Sequence, residues 1–171
     1  MNEKQIVQIS PSSSPTTEAV QALIDAAHNG IKIVFSAGRH HCGGLRLKSD
    51  THLHFDDGAE LHFTPDYGAY AHTSVAVEAE QSDRAMLIAT GESRISLTGH
   101  GRIFCDGSRG FSTGEDIKMG TLIPFSERPR VLVFDGCSDV HVAGLRIDDS
   151  PMWTLHFVDC ERLSLSDLNI D

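Results

Sequence analysis

The chain reads as an all-β solenoid, a parallel β-helix with a short capping helix at its N-terminal end. Two observations carry this reading. Residues 131–171 superimpose on themselves after a shift of 23 residues, and the apolar residues inside each repeat come in pairs two apart. The shift sets Leu132 on Leu155, Phe134 on Phe157, Cys137 on Cys160, Val140 on Leu163, Val142 on Leu165, Leu145 on Leu168 and Ile147 on Ile170. Every pair is apolar, whereas the residues between are mostly polar, small or charged. A fixed period of this length marks a repeat architecture. The pairs Leu132/Phe134, Val140/Val142 and Leu145/Ile147 follow strand alternation, both members on one face. No run at helical spacing is long enough for a normal helix. Three short strands per repeat fit one coil, each strand pairing with its equivalent a coil later, in layers about 4.8 Å apart. One coil cannot bury its own inner face, so stacking makes the core.

Composition sets the outer bounds. The chain has 171 residues, 40% hydrophobic and 22% charged, as in an ordinary globular domain with a real core. A formal net charge of −10 argues against nucleic-acid and membrane-surface binding, both of which need basic patches. The first twenty residues, MNEKQIVQISPSSSPTTEAV, hold no apolar signal core. The expected location is therefore cytoplasmic, or exported with the signal removed. Four cysteines are few for a disulfide scaffold. Cys137 and Cys160 fall on one repeat position and should stack inside as reduced thiols, although a disulfide is within reach at that spacing.

Along the chain, residues 1–15 read as a loose lead-in and 16–171 as a single solenoid domain. Thr16 or Thr17 is the expected N-cap of a helix with apolar face Ala19, Val20, Leu23, Ile24 and Ala27, ended by Gly30. A helix there would close the apolar end of the stack. The first coils follow in Ile33/Phe35, Leu45/Leu47, Leu53/Phe55 and Leu61/Phe63. Residues 64–85 lose the pattern and read as a loop leaving the stack. Leu87/Ala89 and Ile95/Leu97 resume it, matching Leu132/Phe134 and Val140/Val142 at an offset of 45, and Ile103 matches Ile147 after a one-residue insertion. Residues 106–129 form a second aperiodic excursion, of the kind that walls a cleft. The last coil leaves Leu155, Phe157, Leu163, Leu165, Leu168 and Ile170 as an apolar end, through which self-association is expected unless it is covered.

Three segments carry a resemblance to a known family. They are FSAGRHHCGGLRLKSDTHLHFDDGAEL, then ISLTGHGRIFCDG, then RPRVLVFDGCSDVHVAGLRIDDSPMWTLHFVDCERLSLSDLNI. The last is the most specific, with Arg-Pro-Arg before a strand, a buried cysteine, and Ser-Pro-Met-Trp-Thr-Leu-His. Over about residues 30–171 the sequence resembles glycoside hydrolase family 28, the polygalacturonases and their relatives. The resemblance implies a right-handed parallel β-helix that hydrolyses pectic polysaccharide with inversion at the anomeric carbon, using no metal or organic cofactor. The family's catalytic carboxylates lie in an N-T-D-G motif and a following D-D pair, then G-H-G and R-I-K. N-T-D-G does not occur here, and its place would be the coil after Asp171. Gly99-His100-Gly101 sits in an earlier turn and reads as a chance match, and Asp148-Asp149 as a turn feature.

The chemistry agrees. Inversion needs an acid and a base roughly 6.5–9.5 Å apart. Asp148 and Asp171, one coil apart, should stack too closely, and read as solvated turn aspartates. No catalytic residue is therefore expected in this chain, which alone should be inactive. The alternative is a non-catalytic β-helix that binds carbohydrate or assembles. Candidate cleft residues are Trp153 and His156, the latter out of phase with Leu155 and Phe157 and so outward. Arg128 and Arg130, flanking Pro129, are candidates for pairing a galacturonate carboxylate or for a structural ion pair. Of the histidines, His52 and His54 alternate with Leu53 and Phe55 and make an outer stripe. A metal needs three or four converging ligands, and none is expected.

Overall fold

In the computed structural model, residues 4–79, 82–111, 117–118, 121–122 and 127–171 are described. The chain begins with β1 (Gln5–Ile9) and the helix α1 (Thr17–Ala26). The first full coil is β2 (Ile31–Phe35), β3 (Gly38–Cys42) and β4 (Leu45–Arg46). The second is β5 (Thr51–Phe55), β6 (Ala59–Phe63), a 3-10 helix (Tyr67–Thr73), β7 (Ser74–Ala79) and β8 (Ser82–Thr90). The third is β9 (Ser93–Gly99), β10 (Arg102–Phe104), the short α2 (Gly107–Gly110), β11 (Ile117–Lys118), β12 (Thr121–Leu122) and β13 (Arg130–Asp135). Then come β14 (Ser138–Ala143), β15 (Arg146–Asp148) and β16 (Leu155–Val158), and finally β17 (Glu161–Ser166) and β18 (Asn169–Ile170).

Each of the four full coils gives one strand to each of three sheets. Sheet one runs β1-β2-β5-β9-β14-β17, sheet two β3-β6-β10-β15-β18, and sheet three β4-β8-β13-β16. Pairing within these sheets is parallel, so the molecule is a parallel β-helix. The repeat read from the sequence is the pairing register itself. Leu132 pairs with Leu155, Val140 with Leu163, Val142 with Leu165 and Ile147 with Ile170. The offset matches Leu87↔Leu132, Ile95↔Val140 and Ile103↔Ile147 are register pairs too. The inner columns close into one core, in which Phe35 stacks on Phe55 at 4.9 Å and Phe134 on Phe157 at 5.5 Å. Each such buried side chain contributes roughly 1.5–3 kcal/mol. All four thiols are free, and Cys137 and Cys160 bond to backbone carbonyls.

Three expectations need correction. The lead-in is not loose throughout, because Gln5–Ile9 pairs with Ile31–Phe35 over its whole length. Its alternation in QIVQI is short, and backbone bonding to an edge strand completes it; the solenoid therefore starts before residue 16. The helix α1 begins at Thr17, but Thr16 makes no side-chain cap. The Thr16 hydroxyl instead donates to the His41 carbonyl, and the Thr17 hydroxyl accepts from the Gly43 N–H. The two threonines thus bind the helix start to the first coil. Val20 and Ile24 enter the core, and Gln21 bonds both backbone groups of Arg46 on the edge strand β4. The first excursion ends earlier than its composition suggests, since β8 starts at Ser82 and pairs antiparallel with β7. Of the second excursion, residues 112–116, 119–120 and 123–126 lie outside the described residues, as do residues 1–3 of the lead-in.

The corners repeat with the coils. Asp50, Arg94, Asp139 and Arg162 occupy equivalent positions ahead of sheet one, all with φ between 54° and 64°. They pair across coils: Arg94 grips Asp50 with two bonds of 2.8 Å, and Arg162 grips Asp139 at 2.6 and 3.0 Å. These arginines hold both aspartate pKa values below the usual carboxylate range. Gly99 (φ +120°) lies at another corner, where an added Cβ would be driven into the Phe55 carbonyl. The Gly-His-Gly sequence is thus explained by backbone crowding, as a structural turn.

Two outcomes follow from this packing. Gly99→Ala lowers the melting temperature far more than Gly91→Ala, whose left-handed position has nothing within 4 Å and costs only ~1–2 kcal/mol; equal losses would contradict the crowding. The second concerns His52, whose Nε2 meets the Thr98 hydroxyl at 2.7 Å beside His54 Nδ1 at 2.9 Å. Burial first, then Lys32 and His54, pulls its pKa from 6.5 down to about 4. Between these values the unfolded chain binds more protons, so stability is present above pH 6.5 and is lost as pH falls toward 4. His52→Gln should flatten that limb of a melting-temperature profile; an unchanged profile would remove His52 from the account.

Candidate functional site

Strand alternation decides what sheet two shows to solvent. Its inward residues include Leu61, Ile103 and Ile147, all in the core. Its outward residues form two columns across the coils. One is Arg39, Glu60, Arg102, Arg146 and Asn169; the other begins His41, His62, Phe104 and Asp148. Asp171 follows Ile170 as Asp148 follows Ile147, and so continues the second column by one layer.

This outer face is the floor of a groove. Among the described residues, both excursions leave the stack after a strand of sheet two and rejoin it at sheet three, so their bases lie along one margin. Two adjoining cavities, of about 1400 and 710 Å³, share Arg102, Phe104 and Arg109 in their lining. The larger reaches back to α1 at Gln21 and to the first excursion at Ala69 and His72. The smaller reaches forward over Asp148, Asp149, Met152 and Asp171.

Of Asp148 and Asp171, expected as solvated turn residues, Asp171 is exposed and Asp148 is not. Asp148 is the last residue of β15 and only 3% exposed. Arg102 Nε donates to one of its oxygens, and Arg146 Nε donates to both at 2.7 and 3.0 Å. Arg146 also donates to Asp171 at 3.2 Å, so one guanidinium serves carboxylates on two layers. Asp149 does sit in a turn, at φ +55°, but it accepts from the Ser108 N–H at 3.0 Å and from its hydroxyl at 2.9 Å, tying α2 to the next coil. In the other direction His62 bonds Glu60 at 2.9 Å, which holds that carboxyl below its usual range. Desolvation and the neighbouring His62 lower His41.

The four residues picked from the sequence come together elsewhere. Arg130 is fully buried; it donates to His156 Nδ1 at 2.9 Å and to the Ser82 carbonyl at 3.0 Å. Arg128 donates to the Pro151 carbonyl at 2.8 Å, and the Trp153 and His156 rings meet edge to face at 4.8 Å. They form one cluster where the excursions rejoin sheet three, and none lines either cavity. The outward columns of sheet two were missed, although the alternation R-x-H, E-x-H, R-x-F, R-x-D at its strands was in the sequence. The outer histidine stripe read from the sequence, His52 and His54, lies on sheet one.

By sequence, no described protein family matches the chain and no curated protein does so. Solved structures do match. A protein of Parabacteroides merdae, provisionally assigned as a glycosyl hydrolase, superimposes with a TM-score of 0.77 at 18% identity, over 98% of this chain and 75% of that one. The family 28 exopolygalacturonase of Yersinia enterocolitica gives 0.74 at 18% identity, over 98% and 39%. The exopolygalacturonase of Thermotoga maritima gives 0.75 at 20% identity, over 99% and 48%. The chain therefore spans under half the length of these polygalacturonases. Its fold is the parallel β-helix of the family 28 polygalacturonases.

Proposed function

We propose that these residues are the N-terminal part of a polygalacturonase-like glycoside hydrolase, with the groove on sheet two as its polysaccharide cleft. The groove carries the reading: a continuous concave face, in a fold that polygalacturonases share, leading to stacked outward aspartates at its far end. Pectic polysaccharide is the proposed substrate, and inverting hydrolysis the reaction of the whole protein. The coil is taken as right-handed, as nearly all parallel crossovers are, with α1 as the cap over its first end.

Alone, the chain is proposed to be inactive. Asp148 and Asp171 are about one layer (~4.8 Å) apart and share Arg146, whereas inversion needs roughly 6.5–9.5 Å with room for water. Trp153, His156, Arg128 and Arg130 are proposed to brace the wall of the cleft. Leu163, Leu165 and Ile170, each 38–48% exposed on the last coil, are the proposed surface for self-association.

Two measurements test this. Incubated with polygalacturonate, the chain should release no reducing ends; release above background would end the claim of inactivity. Pectic oligosaccharide should perturb backbone amide signals of β6, β10 and β15. Shifts confined to sheets one and three would remove the groove from the reading.

A further inference from the structure

We propose that the N-terminal reach of the groove, floored by the rings of His41, His62 and Phe104, is a subsite for an uncharged pyranose, such as a galacturonate methyl ester, and not for a free carboxylate. The inference rests on the reading of the groove as a saccharide cleft. It also separates two substrates that the reading leaves together.

Three observations carry it. First, the register sets three rings on consecutive layers, with centroids 5.8 Å apart from His41 to His62 and 5.1 Å from His62 to Phe104. They make a strip of aromatic rings along the floor of the larger cavity. Aromatic strips with a few placed polar groups suit the C–H face of a sugar.

Second, the cations of this reach are offset. Arg39, Arg102 and Arg109 share its lining with Glu18, Asp25, Glu60 and Asp106, and Lys48 pairs with Asp25 at 2.8 Å, so the reach holds no surplus of positive charge. Arg39 faces Glu60 at 3.7 Å, and Arg102 is held on Asp148 with its guanidinium 5.0 Å from the Phe104 ring centre. Desolvation lowers the pKa of His41, which disfavours a charge on that ring. A chain with a carboxylate on every sugar would find no surplus of cations to meet it there, on a chain of net charge −10.

Third, Asp106 Oδ1 is buried without a hydrogen-bond partner among the described residues. The Asp106 carboxylate lines this reach, and an unpaired carboxylate there disfavours a second one beside it.

The experiment is calorimetric titration of the 171-residue chain with a pectic oligosaccharide and with its full methyl ester, at low and high salt. The ester should bind at least ~10-fold tighter than the acid, with little salt dependence. Phe104→Ala should weaken ester binding about 10-fold. Phe104→Leu, which keeps an apolar side chain in the strand, should weaken it as well, and Ser96→Ala on sheet one should not. Tighter, salt-sensitive binding of the acid would overturn the proposal while leaving the groove reading intact. So would ester binding that both Phe104 variants leave unchanged. Binding of neither ligand would overturn the groove reading with it.

Discussion

Parallel pairing of each strand with its equivalent one coil later is the constraint on which the rest depends. The register puts like positions above one another, so one residue choice is repeated as a column. Inside, the column is a ladder such as Ile33, Leu53, Leu97, Val142 and Leu165. Such a ladder buries its faces only against its neighbours, which makes the core a property of stacking and not of any one coil. At the corners, the same register repeats left-handed backbone, filled by glycine or by charged residues that pair across layers.

Columns also explain how a chain so acidic carries arginines in register on one face. Arg102 and Arg146 are direct neighbours on sheet two, an arrangement that would repel if each stood alone. Asp148, drawn almost out of solvent between them, relieves it, and Asp171 shares the second guanidinium. Cross-coil ion pairs of this kind tie layers together where strands are only two or three residues long. They also leave the outer face of sheet two patterned along the axis, with rings at one end and carboxylates at the other.

Insertions obey the same constraint. A β-helix tolerates extra residues where a corner can open without shifting the register on either side. Here the openings fall at one corner, between sheets two and three, and described residues of both insertions, Ala69 and His72 of the first and Ser108 and Arg109 of the second, line the groove. Their bases are held by specific contacts: Ser82 to the Arg128 carbonyl at 2.6 Å, Arg84 to the Tyr67 carbonyl at 2.8 Å, and Asp149 to Ser108. The buried Arg130 joins Ser82 on one excursion's return strand to His156 one layer beyond the other. Trp153, His156, Arg128 and Arg130 meet in one cluster there, outside the lining of either cavity.

The sequence by itself determined the coil period, the inward residues and the places where the chain leaves the stack. Each depends on apolar spacing, and apolar spacing is what strand pairing and burial read. It did not reveal β1, because five residues of QIVQI gain their order from hydrogen bonds to the next strand. Nor did it reveal that the Thr16 and Thr17 hydroxyls would serve the first coil in preference to a cap. The candidate site was the least legible part. Outward residues are not bound by the apolar rule, so His41, His62, Phe104 and Asp148 look unrelated along the chain. Only the tertiary register, which stacks residues far apart in sequence, brings them onto one floor, and it gathers Trp153, His156, Arg128 and Arg130 into a separate cluster beside sheet three.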